Sequence, residues 1–491
     1  MKPMKLPLIL LLAMASLGFA AETKPLSGSR PNIILLLTDD QGLGDLSCTG
    51  NPYLKTPNLD RLHALGTRFT DFHVSPTCSP TRSAIMSGRH EFEVGVTHTI
   101  FQRERLAPGV VTIAEALRRA GYATGLFGKW HLGDDKAYLP QQRGFDEVLM
   151  HGAGGIGQFK WGDFEENSKT PYFDSVLLHN DTIVRTKGFC TDLFFAAAMA
   201  WINQQHAEKK PFFAYIPLNA PHDPMIAPEK YKKRFLDLGF DNQSAARYGM
   251  IENIDDNVGL LLADLERQGM SEDTLVVFMT DNGMSMPAGT IHGKKFTPFN
   301  AGMKGSKCTP NEGGTRVPSF WMWKGHVQEG LDISALAAHI DLYRTFCDLA
   351  GAKIPSSSLE PSGRSLVPLL ENPKTDWPDR TLFLHVGRWN PGERDPSKYK
   401  GCAVRTSRWR LVNNNELYDI LADRGETKDV AAQNPEVVAD LRKKFDAWWD
   451  SLPPLLVNEG LPDIKPGDFP LQKLRRTTQG ELSLWEPVSS K

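Results

Sequence analysis

The chain lacks an excess of charge of either sign, which limits the partners that it can bind. Its 56 lysine and arginine residues nearly balance 58 aspartate and glutamate residues, so the formal net charge is −2. Proteins that bind nucleic acids or anionic membrane surfaces usually carry a basic excess, and we expect neither partner here. An anionic small molecule would have to be held by a few placed cations rather than by the field of the whole protein.

Cysteines are also scarce in this chain of 491 residues. The six stand singly at positions 48, 78, 190, 308, 347 and 402. They have neither the density of a disulfide scaffold nor a Cys-x-x-Cys pair that would suggest zinc. One or two disulfides are compatible with this count, but their pairing cannot be read from the sequence.

Apolar segments long enough to cross a membrane are missing as well. The candidate at Leu6–Phe19 is too short for a comfortable span and follows two lysines. A short apolar run between basic residues and a small-residue site is typical of a secretion signal. We therefore expect residues 1–20 to be a signal peptide, and the mature protein to be secreted or periplasmic without a membrane span.

Short apolar runs that end abruptly in polar residues predict the fold. The runs are Ile33–Leu37, Tyr122–Phe127, Phe212–Leu218 and Leu275–Met279. Helical patterns lie between them, at Val111–Ala120, Asp192–Gln205 and Ala245–Gln268. This alternation predicts an α/β fold with a large, mostly parallel sheet sandwiched by helices. Ligands bind at the carboxyl ends of such strands, so the polar residues there are expected to converge.

The pattern changes after about residue 373. Short strand-like segments follow at Arg380–Val386, Cys402–Thr406, Trp409–Val412 and Glu416–Asp419, and Asn434–Leu452 has the pattern of an amphipathic helix. They predict a smaller C-terminal antiparallel sheet with a packed helix. We expect a main domain over residues 21–375 and a C-terminal α+β subdomain with an extended tail over residues 376–491.

Three carboxylates and an amide follow two of the predicted strands. Asp39 and Asp40 come after the first strand, and Asp281 and Asn282 come after the fourth. Each aspartate taken alone would more often cap the loop or helix that follows it. Converging carboxylates repel each other unless a cation holds them, and hard oxygen ligands favour Ca²⁺, or less strongly Mg²⁺, over zinc or copper. The repetition at two strand ends favours a metal site.

Cys78 opens the run Cys78-Ser79-Pro80-Thr81-Arg82, which is followed by Gly88-Arg89. Pro80 suits the first turn of a helix, and Gly88 suits its end. A group at a helix N-terminus with Arg82 one turn later is well placed to face an anion. By itself, however, the run is better explained by a buried structural cysteine at the start of a helix.

This run resembles the signature of the type I, formylglycine-dependent sulfatases, which belong to the alkaline phosphatase-like superfamily. Thr81 stands where serine is more common in that family. The resemblance extends in order over nearly the whole mature chain, through Pro31–Gly44, Gly128–Gly133, Pro211–Pro224, Thr280–Gly283, Glu312–Pro318 and Leu417–Asp419. It implies an alkaline phosphatase-like fold and a secreted, arylsulfatase-like enzyme that hydrolyses sulfate esters. Secretion, the second subdomain and a polar pocket rim make a sulfated sugar a more plausible substrate than a steroid or small phenol sulfate.

The resemblance also implies roles for single residues. A formylglycine-generating maturation enzyme would oxidise Cys78 to Cα-formylglycine, which would complete the shell of a divalent metal, usually Ca²⁺. The metal ligands would be Asp39, Asp40, Cys78, Asp281 and Asn282. The catalytic residues would be Cys78, Arg82, Lys129, His131, His222 and Lys307, of which Lys129, His222 and Lys307 would also contact the substrate. Lys307 precedes Glu312-Gly313-Gly314 by five residues, and Lys304 could be confused with it.

The implied chemistry explains these residue types. The oxygens of a sulfate ester repel an incoming nucleophile, and metal and lysine charges neutralise that repulsion. A hydrated aldehyde offers one hydroxyl that attacks sulfur and a second that later expels sulfate, an exit that serine or cysteine lacks. A carboxylate such as Asp281 can activate the attack, and His222 can protonate the leaving alcohol.

Other candidates are weaker. His292, Arg388 and Trp389 could bind the substrate, since a cation and an aromatic ring suit a charged sugar, but such residues more often pack a domain junction. Gly152–Gly157 fits a GxGxxG pattern, yet no amphipathic helix follows it, so we interpret it as a loop near the mouth of the site rather than a dinucleotide motif.

Two other functions compete with sulfate ester hydrolysis. A phosphatase or phosphonate hydrolase of the same superfamily would share the sheet and the carboxylates, but Lys129, His131 and Lys307 favour sulfate. A non-catalytic glycan-binding relative would keep Cys78 unmodified, and the complete set of site residues argues against it.

Overall fold

The computed structural model describes residues 25–285, 289–356 and 359–487. The predicted signal peptide, residues 1–20, lies outside this range. Within the described residues, no helix has the length and apolar character needed to span a bilayer. All six cysteines fall in the described part of the chain, and all six are free thiols.

A ten-stranded mixed sheet forms the centre of the fold, in the order β13-β2-β12-β9-β1-β8-β4-β5-β6-β7. The described strands are β1 (Asn32–Thr38), β2 (Thr67–Phe69), β3 (Phe72–His73), β4 (Ala123–Lys129), β5 (Glu147–His151), β6 (Val176–His179), β7 (Thr182–Arg185), β8 (Phe212–Pro217), β9 (Thr274–Thr280), β10 (Gly289–Ile291), β11 (Lys294–Phe296), β12 (Ser319–Met322), β13 (Leu331–Ile333), β14 (Ala337–Ala338), β15 (Leu382–His385), β16 (Cys402–Arg405), β17 (Trp409–Val412) and β18 (Glu416–Asp419). The five central strands β9, β1, β8, β4 and β5 are parallel, whereas β12, β6 and β7 pair antiparallel on the two sides.

Helices cover both faces of this sheet. The described α-helices are α1 (Pro57–Ala64), α2 (Cys78–Ser87), α3 (Ile113–Arg119), α4 (Cys190–Ala207), α5 (Glu229–Asp237), α6 (Asn242–Arg267), α7 (Glu312–Thr315), α8 (Asp341–Ala350), α9 (Val367–Glu371), α10 (Pro435–Ser451) and α11 (Pro470–Thr477). Successive side chains of β1 alternate between the faces: Ile33, Leu35 and Leu37 pack with α2, α3 and α8, and Ile34 and Leu36 pack with α1, α4 and α6. The predicted α/β fold is therefore confirmed.

The four-stranded antiparallel sheet β15-β16-β17-β18, with α10 packed against it, forms the C-terminal part of the fold. Its core is rich in aromatic side chains from α10 and receives Phe92 from the segment before α3. The tail after α10 returns to the large sheet, where Leu484 pairs with Arg185 at the end of β7. The domain boundary at residues 375 and 376 stays a prediction.

Candidate active site

Two neighbouring strands bring the predicted metal ligands together. β1 and β9 pair in parallel with Thr38 opposite Thr280, so the residues that follow them emerge side by side. The Asp281 backbone N–H donates to the Thr38 carbonyl at 3.0 Å, and the Asp40 N–H donates to the Asp281 carboxylate at 3.2 Å. Asp40 has a φ of +65°, which turns the chain sharply at the end of β1. The register of the sheet thus places all of these carboxylates at one edge.

Each of the three buried carboxylates at this edge has its own cation. The pairs are Asp39–Lys129 at 2.6 Å, Asp40–Lys307 at 2.6 Å and Asp281–Arg82 at 2.7 Å. The three aspartates are at most 1% exposed, so these charges face one another with little solvent between them. Three positive and three negative charges therefore balance before any ion is added.

Burial governs how these carboxylates titrate. It raises the pKa of Asp39 and of Asp281 to about 6, and repulsion between the carboxylates adds to the effect. Burial also opposes ionisation of Asp40, but Lys307 and His222 outweigh it and hold the pKa of Asp40 below its usual range. The ionised forms of Asp39 and Asp281 are therefore poorly stabilised by the protein alone, which is a condition that a bound cation relieves.

Two buried oxygens of this group have no hydrogen-bond partner among the described residues, Asp39 Oδ1 and Asn282 Oδ1. The Asn282 amide nitrogen donates to Asp40 at 2.9 Å, so the amide oxygen stays unused. Leaving such an oxygen unsatisfied costs about 1–3 kcal/mol. Ligand atoms of Asp39, Cys78 and Asp281 lie within 4.8 Å of one another. This oxygen-rich set fits a hard divalent cation, and fits zinc or copper poorly.

Cys78 is the first residue of α2 and is only 3% exposed. Every residue of this helix is buried, and Gly88 ends it with a φ of +67°, as predicted from the sequence. Burial alone would raise the pKa of the thiol, but Lys129 and Lys307 outweigh it, and the pKa of Cys78 is lowered. Burial raises the pKa of the other five thiols. Cys78 is thus the cysteine whose surroundings favour a nucleophile.

Arg82, one turn after Cys78, joins several strand ends. Its Nε and Nη2 donate to Asp281 at 3.1 and 2.7 Å, and Nη1 donates to the Lys129 carbonyl at 3.0 Å. The guanidinium is fully buried, so both contacts are strong and fixed. Arg82 therefore holds α2 against the ends of β9 and β4.

His131 lies two residues after Lys129, beyond the end of β4. Its Nε2 is 2.8 Å from the Thr99 carbonyl, which can only accept, so Nε2 carries the hydrogen. Burial and Lys129 lower the pKa of His131 far below its usual range, so the ring is neutral. Nδ1 is buried and has no partner among the described residues, which leaves it free as an acceptor. A Cβ on Gly154, in the glycine-rich loop, would lie 2.5 Å from this ring, so glycine permits the approach.

His222 follows β8 and reaches the same cluster. Its Nδ1 is 2.8 Å from the Asp223 carbonyl and therefore carries a hydrogen, while Nε2 lies 3.8 Å from Asp40 Oδ2. The Tyr172 hydroxyl donates to the His222 carbonyl at 2.6 Å and fixes the loop. The nitrogen that faces the carboxylates is thus the one free for proton transfer.

The structure separates the two lysines that the sequence could confuse. The side chain of Lys307 is 13% exposed and contacts Asp40, whereas that of Lys304 is 45% exposed. Lys304 instead donates to the Tyr418 hydroxyl at 2.9 Å and lies 3.3 Å from Glu416, both on β18. Lys307 is the one that reaches the cluster.

A second buried group of charges supports the segment after Lys307. Its members are Asp71, His73, Glu312, Arg316, Arg405 and Arg410. Asp71, His73 and Glu312 are close enough to hold an ion, but three arginines already satisfy the two carboxylates. Glu312 opens α7, where Gly314 accepts a hydrogen bond from Gly283 at 2.9 Å. The C-terminal sheet thereby braces the turn that follows Asn282.

Three weaker candidates are placed differently. His292 is exposed at the tip of the β10–β11 hairpin, where its backbone N–H donates to the Gly239 carbonyl. No described contact joins it to the cluster. Trp389 is 4% exposed in the C-terminal core and donates to Glu459 at 2.7 Å, so it has no free face for a sugar ring. Arg388 donates to Thr99 at 2.9 Å and to Cys308 at 3.2 Å, which places it close to Lys307 and His131.

His151 is a site neighbour that the sequence analysis missed. It ends β5, opposite Lys129 on β4, and its buried Nε2 has no partner among the described residues. Burial lowers its pKa to about 3. The signal was present, because Val148–Met150 is another short apolar run, and it ends in His151 and a glycine-rich segment.

Comparison of the sequence with known proteins finds relatives that are enzymes. A family model described as "Sulfatase" matches residues 31–352, and one described as "N-sulphoglucosamine sulphohydrolase, C-terminal" matches residues 307–449. The N-acetylgalactosamine-6-sulfatase of Mus musculus is 34% identical over 399 residues, covering 77% of this chain and 72% of that protein. Arylsulfatase A of Homo sapiens is 31% identical over 463 residues, covering 89% of this chain and 85% of that protein.

A solved structure agrees with these matches. The crystal structure of Ps i-CgsB in complex with k-i-k-neocarrahexaose superposes with a TM-score of 0.73 at 29% identity. The superposition covers 86% of this chain and 93% of that one. The structural similarity therefore extends over most of the chain.

Proposed function

The chain belongs to the sulfatase family and is a hydrolase of sulfate esters, and from this premise we propose that its substrates are sulfated carbohydrates met outside the cytoplasm. We infer further that Cys78 is the precursor of the nucleophile and that Ca²⁺ is the metal. One observation carries the proposal: Cys78, two lysines and three carboxylates meet at a single buried point although they are far apart in the sequence.

The carbohydrate substrate is supported by the relatives. One is named for a sulfated amino sugar, and the solved structure of another holds a carrahexaose. The predicted signal peptide would carry the protein to the compartment where such polymers occur.

The proposed nucleophile would be made from Cys78 by a formylglycine-generating enzyme. Formylglycine supplies a hydrated aldehyde whose two hydroxyls can in turn attack sulfur and release sulfate. The protein's part is to hold residue 78 at the start of α2, beside Lys129 and Lys307, whose charges attract an anionic sulfate.

The metal would be held by Asp39, Asp40, Asp281 and Asn282 together with the modified residue 78. The two unpartnered oxygens and the two raised carboxyl pKa values support this assignment. When bound, Ca²⁺ supplies positive charge that stabilises the developing negative charge on the sulfate oxygens.

The two histidines suit different proton-handling roles. His222 can give a proton from Nε2 to the leaving oxygen, because Nδ1 is held by the Asp223 carbonyl. His131 is neutral and offers Nδ1 as an acceptor, so it can hold the hydrogen of a hydroxyl next to residue 78. Lys129 and Lys307 bind the sulfate oxygens.

Removal of one carboxylate tests the metal assignment without any activity measurement. Ca²⁺ at about 100 times its Kd should stabilise the wild-type protein by about 2.7 kcal/mol, because it binds only the folded state. Asp39→Asn should lose most of this gain, whereas Asp181→Asn, an exposed residue between β6 and β7, should keep it. Thermal unfolding with and without Ca²⁺ measures the difference, and an equal Ca²⁺ shift in all three proteins would contradict the assignment.

The choice between sulfate and phosphate tests the reaction itself. Matched aryl sulfate and aryl phosphate esters should be compared at the same pH and Ca²⁺ concentration. We expect a higher kcat/KM for the sulfate, because Lys129, His131 and Lys307 surround the position of the transferred group. A large preference for phosphate would favour the phosphatase and phosphonate hydrolase alternative. A panel of defined sulfated saccharides then tests the substrate class. Failure to cleave any of them would contradict the carbohydrate proposal.

A further inference from the structure

A half-buried cation, Arg388, lies beside the exposed side of the carboxylate cluster. Lys307 is the partly exposed cation of the cluster, whereas Lys129 and Arg82 are fully buried. Arg388 Nη1 donates at 3.2 Å to the thiol of Cys308, the residue that follows Lys307. A substrate whose sulfate reaches Lys307 from the surface thus comes close to Arg388.

The Cys308 thiol shows that Arg388 and Lys307 act on the same place. Burial raises the pKa of this thiol, and the charges of Arg388 and Lys307 both oppose the rise. Cys78 and Asp40 raise it further. The thiol that Arg388 contacts is therefore within electrostatic range of the proposed nucleophile and of a proposed metal ligand.

A second contact joins Arg388 to the surroundings of His131. Arg388 Nη2 donates to the Thr99 hydroxyl at 2.9 Å, and the carbonyl of Thr99 lies 2.8 Å from His131 Nε2. Thr99 and Cys308 together hold the guanidinium beside the neighbours of two residues that are implied in sulfate hydrolysis.

The backbone around Arg388 is fixed in an uncommon conformation. Arg388 has a φ of +59°, in a region that non-glycine residues seldom adopt, and its N–H donates to the Thr97 carbonyl at 2.9 Å. Gly387 has a φ of +67°, and a Cβ there would collide with the same carbonyl oxygen. Trp389 is buried in the C-terminal core. Because the turn is held on both sides, the guanidinium is presented to a ligand already in place.

The charge of Arg388 has no counter-ion among the described residues. Its two terminal nitrogens donate to a thiol and a hydroxyl, which are both neutral, and its buried Nε has no partner there. A guanidinium has five N–H donors, so each terminal nitrogen keeps one hydrogen for a further acceptor. Other buried arginines of this region have a carboxylate partner: the pairs are Arg82–Asp281, Arg103–Glu459 and Arg105–Asp135. An anion of the substrate would supply the charge that Arg388 lacks.

We propose that Arg388 binds a second anionic group, a sulfate or a carboxylate, on the substrate that carries the scissile sulfate. The inference rests on the proposed carbohydrate function and deepens it. The preferred substrate is then a sugar with two anionic groups, and a residue outside the sulfate cluster selects it.

Two variants and one control test this assignment. Arg388→Gln removes the charge but keeps an amide that can donate to Thr99, and Arg388→Lys keeps the charge but loses the planar fork. The control, Arg408→Gln, removes an exposed cation that is paired with Asp419 in the C-terminal part. The substrates are an aryl sulfate, a disaccharide with one sulfate and no other charge, and two counterparts of that disaccharide with a second anionic group. This group is a sulfate in one counterpart and a carboxylate in the other.

The wild type should show a kcat/KM about 10- to 100-fold higher for at least one doubly charged disaccharide than for the singly charged one, mainly through KM. Arg388→Gln should lose most of this advantage, and Arg388→Lys should lose only part of it. The aryl sulfate and the singly charged disaccharide should be affected much less, because they lack the partner of the guanidinium. Arg408→Gln should behave as the wild type with all four substrates. The counterpart with the larger advantage identifies the preferred anion.

The outcomes separate this inference from the proposal on which it rests. A wild type without preference for either doubly charged disaccharide would overturn the assignment, and this measurement needs no variant. A preference that survives in Arg388→Gln as it does in Arg408→Gln would also overturn it. Equal losses of Arg388→Gln on all four substrates would show that Arg388 only braces Thr99 and Cys308. If the wild type cleaves the aryl sulfate but no disaccharide, the carbohydrate function is wrong and the assignment of Arg388 falls with it.

Discussion

Replacing Cys78 with alanine is expected to lower kcat by about 10⁴-fold or more, because the proposed nucleophile derives from this side chain. The variant should still bind a sulfated substrate, since Lys129 and Lys307 remain in place. Cys347→Ala is the matched control: Cys347 is also a buried cysteine in a helix, but burial raises its pKa to about 12 and it lies in α8. Steady-state hydrolysis of an aryl sulfate and equilibrium binding of a sulfated sugar measure the two effects.

Mass spectrometry on the same proteins separates the proposed mechanism from its alternatives. Wild-type protein made together with its maturation enzyme should yield a peptide covering residues 74–89 in which residue 78 carries an aldehyde in place of the thiol. A fully active protein whose peptide holds only intact thiol would refute the formylglycine mechanism. An inert Cys78→Ala protein that still folds and binds would exclude the purely structural role that the cysteine motif alone leaves open.

Replacing Lys307 with alanine is expected to lower kcat by about 10²- to 10³-fold, while Lys304→Ala stays within about twofold of the wild type. Lys307 contacts Asp40 inside the cluster, whereas Lys304 contacts Tyr418 and Glu416 on β18. The loss should exceed a charge effect on binding, because a buried carboxylate is left without its cation and a sulfate oxygen without its donor.

The lysine pair is a strict test because the residues are three positions apart and of the same type. Lys307→Arg should recover part of the lost rate, since its charge is kept but its planar head differs from a compact ammonium. Equal losses in Lys307→Ala and Lys304→Ala would show that the segment acts only through its folding. A greater loss in Lys304→Ala would reverse the assignment.

The centre of the fold was predictable because its signals are local. The apolar runs that contain Ile33 and Leu275 are long, continuous and bounded by polar residues, as buried parallel strands are. The structure gives them as β1 and β9, extended by one residue at each end. The flanking strands escaped prediction because they are short and mixed: Thr182 and Arg185 at the ends of β7 are exposed, and only the two residues between them are buried.

The candidate site was predictable where its residues directly follow strands. Asp39 and Asp281 could be placed together because the ends of parallel strands share an edge. Lys307 could not be placed this way, since it lies in a loop and its position depends on Glu312 and two arginines about 100 residues later. The burial of Trp389 also depends on residues distant in the sequence and could not be predicted, because the aromatic residues that cover it come from α10.

The burial of α2 limits when Cys78 can be modified by another enzyme. Every side chain of this helix is enclosed, and Cys78 is 3% exposed, so a folded molecule offers another enzyme no access to the thiol. The proposed oxidation of Cys78 must therefore finish while the polypeptide is still open, before α2 docks between the sheet and α8. Folding and the proposed oxidation would then compete, and the active fraction of a preparation would show which of the two was faster. Slower folding, or more of the proposed maturation enzyme, should yield more active molecules from the same amount of chain.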